Sequence, residues 1–137
     1  MVNAAEILLA GGVFYLFLGT LTGWWLYWDM KRHSGEGQRY IWGSHRAALW
    51  FGFMALGLAY AMEKLSFTGN MATVLALGLN TGFLMVLIGQ VTLGIRRNPN
   101  QITNPDRIPQ FLTGIGDILI MTVIGVILYG ALTAFWF

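Results

Sequence analysis

His45 stands in Ser44-His45-Arg46, directly before an uncharged run that continues to Met62. Its imidazole can ligate a metal or haem iron, or move protons near neutral pH. A histidine beside an arginine at a membrane boundary can also simply rest against headgroups and water. Asp117 interrupts a stretch that is otherwise free of charge from Ile108 to Phe137. An ionised carboxylate within a membrane helix costs about 2.5–3.5 kcal/mol on insertion scales, so a partner is expected. Arg46 is the favoured one, ahead of Arg96, Arg97 and Arg107, and both a structural ion pair and a catalytic carboxylate stay open. Asn80, in Gly78-Leu79-Asn80-Thr81-Gly82-Phe83, carries an amide that must hydrogen-bond in an apolar helix, to a neighbouring helix or to a bound ligand. His33 lies among charges and glycines in Lys31-Arg32-His33-Ser34-Gly35-Glu36-Gly37, which reads as a solvated loop.

The chain has no cysteine, so thiolate nucleophiles, cysteine-held zinc and iron–sulfur clusters are excluded. It has no phosphate-binding glycine loop, no HExxH, no GxSxG and no histidine pair on its apolar helices.

The elements that must position these side chains belong in a bilayer. The 137 residues are 56% hydrophobic and 10% charged, against roughly 45–50% and 25% in soluble domains. Charges divide the sequence into four apolar stretches, predicting one all-α domain of four transmembrane helices near 7–28, 43–62, 71–95 and 108–136. Ile7 to Trp28 spans a hydrocarbon core of about 30 Å at roughly 1.5 Å per residue. The second helix is the short one, and a tight turn over residues 66–70 joins it to the third. Seven of the eight Lys and Arg residues fall in the two loops Asp29–Arg46 and Arg96–Arg107. The positive-inside rule puts these loops in the cytoplasm and both termini on the opposite side. That asymmetry accounts for a net charge of +2 without a nucleic-acid partner.

Small residues recur at helical spacing. His45, Ala48, Gly52, Ala55 and Ala59 form one stripe on the second helix; Gly12, Gly19 and Gly23 mark the first, and Gly78, Gly82 and Gly89 the third. Such stripes let helix backbones approach in lipid. The one on the second helix could instead leave room beneath His45 for a flat ligand.

Taken together, His45 opening the second helix, Gly52 seven residues later, and the Asn80-Thr81-Gly82-Phe83 segment followed by a basic loop and a fourth helix resemble the small membrane isomerases that include styrene oxide isomerase and, more distantly, hydroxylaminobenzene mutase. The similarity covers most of the chain through short motifs. It implies haem b ligated by His45 at a subunit interface; the small-residue stripe would then set Ala48 and Gly52 beside the cofactor, and Asn80 and Asp117, singled out by their own polarity, are the catalytic candidates. Two family positions differ: Phe51 stands where the isomerases have asparagine, and Leu84 follows Gly82-Phe83 where a tyrosine would be sought. The resemblance implies Lewis-acid rearrangement of a small apolar epoxide or arylhydroxylamine, by a homo-oligomer in a bacterial inner membrane. The alternatives are a non-enzymatic accessory or assembly subunit, and a haem- or quinone-binding electron-transfer subunit.

Overall fold

The computed structural model describes residues 3–136 apart from Ser34, Glu36, Ser66, Thr68 and Gly69. Four helices follow in order: α1 (Ala4–Arg32), α2 (Arg39–Lys64), α3 (Met71–Ile95) and α4 (Arg107–Trp136). There is no strand among the described residues. Three of the helices, α1, α3 and α4, are long and apolar enough to cross a membrane. The fourth, α2, has the length, 26 residues, but carries His45 and Arg46 within it. Each helix lies close to its expected span, and α1 and α2 run several residues further at their ends. The turn expected over 66–70 falls largely outside the described residues.

Local chemistry sets the ends. Asn3 accepts from the Glu6 N–H at 2.8 Å while the Glu6 carboxylate accepts from the Asn3 N–H at 2.9 Å, a reciprocal capping box that gives Glu6 its role ahead of an apolar run. The Gln38 carboxamide oxygen accepts from the Tyr40 and Ile41 N–H groups and starts α2. α3 closes with Arg97 in the left-handed region, φ 48°, its N–H on the Gly94 carbonyl and the Asn98 N–H on that of Leu93. A glycine usually takes such a position, because a Cβ there crowds the backbone.

α1 packs on α2 and α3 on α4 as two hairpins, α3 also touches α1 and α2, and α4 touches no helix but α3, with Phe67 of the α2–α3 connection near Gly130. The buried positions of α1, Leu8, Gly12, Tyr15, Gly19, Thr22, Leu26 and Asp29, alternate in steps of four and three, the seam of a supercoiled pair. Across it lie Ala48, Gly52, Ala55 and Ala59 of α2, all buried. A Cβ built on Gly12 or Gly52 would lie 3.1 Å from the other's carbonyl oxygen, so neither backbone has space for a side chain. The α3–α4 seam has the same design: Gly82 faces Gly116 and Gly89 faces Pro109 and Thr113. The glycine stripes are helix-packing seams. Where the hairpins meet, Phe51 stacks on Phe83 at 4.3 Å and Tyr15 sits edge-on to both rings.

Candidate functional site

His45 is half-buried between α1 and α2, and its seat is made of glycine. A Cβ at Gly23 would fall 2.9 Å from the ring's Cε1. On the same stretch of α1, the Gly19 carbonyl lies 2.8 Å from Nδ1. A carbonyl can only accept, so Nδ1 carries the proton and donates, which leaves the Nε2 lone pair for another partner. Nε2 makes no hydrogen bond among the described residues, and it is not sealed inside: the one buried side-chain polar atom without a partner there is Asn80 Oδ1. A metal-bound histidine is oriented in this way, with its second nitrogen donating to a carbonyl. No group of three or more His, Asp or Glu side chains converges among the described residues. A haem iron would ask the protein for one imidazole of this kind.

The space beneath His45 does not have the form expected of it. Ala48 is fully buried, and Gly52 is closed over by Leu16 and the Gly12 carbonyl. Both residues belong to the α1–α2 seam, so they cannot line a flat ligand in this arrangement. Phe51, at the position where the isomerases have asparagine, is spent on the stacked aromatic core.

Asn80 lies elsewhere, in the α1–α3 seam against Gly11, where an added Cβ would meet its carboxamide. Its Nδ2 donates to the Ala76 carbonyl at 3.1 Å, and Oδ1 is buried with no partner. The Tyr15 hydroxyl, 2% exposed as a residue, donates to the Asn80 backbone carbonyl at 2.6 Å. A cavity of about 380 Å³ opens beside them, lined by Gly11, Tyr15, Asn80 and Thr81 among apolar residues. Gly11 and Gly19 are eight positions apart on α1, about 12 Å along the axis. His45 and Asn80 thus occupy different seams and different depths. Tyr15 was not singled out in the sequence because nothing in an apolar helix marks which tyrosine turns inward.

Asp117 is exposed on α4. Its neighbour Gly116 abuts the backbone of Gly82, so Asp117 sits level with the middle of α3, deeper than its place in the sequence suggested. Arg46 is exposed on α2, and α2 does not touch α4. The expected Asp117–Arg46 pair therefore does not form within the chain, and neither residue has an ion-pair partner among the described residues.

The densest polar cluster joins the two basic loops. The Asp29 carboxylate, 3% exposed, takes the Arg97 guanidinium and the Gln38 N–H at 2.8 Å. The Gln38 carboxamide donates to the Asn98 carbonyl at 2.9 Å, and the Tyr40 hydroxyl accepts from the Gln101 N–H at 2.6 Å. His33, expected in a solvated loop, is an exposed turn residue that also caps α1, with Nδ1 2.8 Å from the Asp29 carbonyl and 3.4 Å from its carboxylate. Arg96 pairs with Asp106. Sequence reading placed these charges on one side of the membrane but could not pair them, since partners such as Asp29 and Arg97 stand 68 positions apart.

No protein-family model, curated protein or solved structure matches this chain.

Proposed function

We propose that the chain is a haem-dependent membrane isomerase with His45 as the axial ligand. The observation that carries this reading is the fixed imidazole: Nδ1 donates to the Gly19 carbonyl and Nε2 is left free. Held by His45, haem would supply Lewis-acid chemistry toward an oxygen of a small apolar epoxide or arylhydroxylamine. The protein's own part is to orient the imidazole through Gly19 and Gly23 and to keep water from an apolar surround. Asn80 and Asp117 stand away from His45 in the single chain, so their catalytic roles require a neighbouring copy or do not apply. The proposal takes α2 as a fourth span in a bacterial inner membrane, an arrangement in which the positive-inside rule would put the basic loops in the cytoplasm and both termini outside.

A homo-oligomer is part of the proposal. Asp117 and Arg46 are unpaired on outer faces of the same chain that cannot meet, and a lipid-exposed carboxylate at mid-membrane is costly. A second copy offers both a partner. The same open α4 face supports the second reading, an accessory subunit that docks on a larger membrane complex.

The test is the absorption spectrum of protein purified after expression with haem supplied. A Soret band that disappears in His45→Ala, together with turnover of styrene oxide or phenylhydroxylamine without an electron donor, is the expected result. Protein that stays colourless after haem is added back would overturn the haem reading and leave the accessory subunit.

A further inference from the structure

A cavity of about 600 Å³ lies away from His45. It runs along α1 from Leu21 past Trp24, Trp25 and Trp28 to Asp29 and Arg32, and Arg97 completes its rim. The path from Leu21 to Arg32 covers eleven residue steps, roughly 16 Å of helix. The cleft exists because α4 packs on α3 alone and leaves this flank of α1 uncovered. Trp25 forms its back wall, with the ring close enough to α3 that a Cβ on Gly94 would lie 3.0 Å from it.

Polarity changes along the cleft in one direction. Its deep part is apolar and aromatic, and its rim carries two guanidinium groups against one carboxylate. Asp29 is already bound to Arg97, whose side chain remains half exposed. Arg32 is exposed and pairs with no carboxylate among the described residues. Among the described residues the rim thus has one positive charge in excess, and in a bilayer it would lie near the level of the phospholipid phosphates. Tryptophans at that depth suit the boundary between acyl chains and headgroups.

We propose that this cleft is a binding site for one anionic phospholipid from the leaflet that faces the basic loops. Its phosphate sits on Arg32 and Arg97, and an acyl chain lies along Trp28, Trp24 and Leu21. A zwitterionic lipid has the same tail and carries its own cation, which the rim's excess positive charge disfavours. A basic pocket between membrane helices selects anionic headgroups for this reason. The assignment is independent of haem.

Three of the six tryptophans line the cleft, so quenching by lipids with brominated acyl chains reads its occupancy. The full chain is placed in phosphatidylcholine vesicles with a minor fraction of brominated lipid, either phosphatidylglycerol or phosphatidylcholine, at equal amounts. Brominated phosphatidylglycerol is expected to quench more strongly. Arg32→Gln should weaken that preference about fivefold, as for loss of one arginine at an anionic surface, and Arg32→Lys should retain most of it. Arg107→Gln removes the same charge at the start of α4, outside the cleft, and should leave the preference intact. Equal quenching by the two lipids would overturn the proposal. So would equal losses in Arg32→Gln and Arg107→Gln, which mean diffuse attraction to the basic loops, or cleft tryptophans shielded from both lipids by a second protein chain.

Discussion

Replacing Gly116 with alanine should loosen α4, and Gly114→Ala on the same helix should not. The Gly116 methyl would lie 2.8 Å from the Gly82 carbonyl oxygen and 3.1 Å from the Val86 nitrogen. Both are backbone atoms that no rotamer change can move aside. Relief to an ordinary contact of 3.4 Å requires the helices to part by about 0.6 Å. A radial gap of that size forfeits a quarter to a half of the dispersion energy of the contacts it opens, and overpacking of this kind costs about 1–3 kcal/mol. Around Gly114 nothing lies within 4 Å. Each substitution also gains the helix propensity of alanine over glycine, about 1 kcal/mol, and this gain cancels when the two variants are compared. Gly116→Ala should therefore be less stable than Gly114→Ala by about 1–3 kcal/mol. Unfolding in mixed micelles with rising dodecyl sulfate, followed by circular dichroism, measures the difference. Equal midpoints, or a greater loss in Gly114→Ala, would show that the α3–α4 crossing is not the close contact described.

Three further outcomes are expected. Asp29→Asn keeps an oxygen acceptor for the Gln38 N–H while losing the Arg97 ion pair, so Asp29→Ala should be less stable than Asp29→Asn by about 1–3 kcal/mol in the same assay, the cost of an orphaned donor. Arg97→Gly and Arg97→Ala both lose that ion pair, but at φ 48° glycine avoids the Cβ clash and should be the more stable by about 1–2 kcal/mol. Gly23→Ala sets a methyl 2.9 Å from the His45 ring; in haem-loaded protein it should weaken or shift the Soret band, whereas Gly57→Ala, with open space around it, should leave the spectrum unchanged.

The helices and their seams were legible because charge and side-chain size carry the pattern. In α1 and α3 apolar residues surround the helix, so hydrophobic periodicity says little about which face is inside. The glycines reveal it, since an empty Cβ position matters only where another backbone is near. Gly12 against Gly52 and Gly82 against Gly116 illustrate this. The same glycines misled about the ligand: an approaching helix and an approaching macrocycle ask the sequence for the same small residues, and at Ala48 and Gly52 the space was taken by a helix. Asp117 defeated the pairing argument because membrane side does not fix helix azimuth. Arg46 and Asp117 lie at different depths and face outward from helices that do not touch. The aromatic cleft was out of reach of sequence reasoning, since it arises from where α4 is missing rather than from any motif.

The attachment of α4 bears on biogenesis. Apart from the contacts of α3 with the first pair, every seam joins helices that are consecutive in the chain. During synthesis the first hairpin can close on its glycines before the third helix has left the ribosome, and the last helix has one helix, α3, to find. Fragments ending after Lys64 and beginning at Met71, produced separately in one membrane, should thus recover the native bundle through α3.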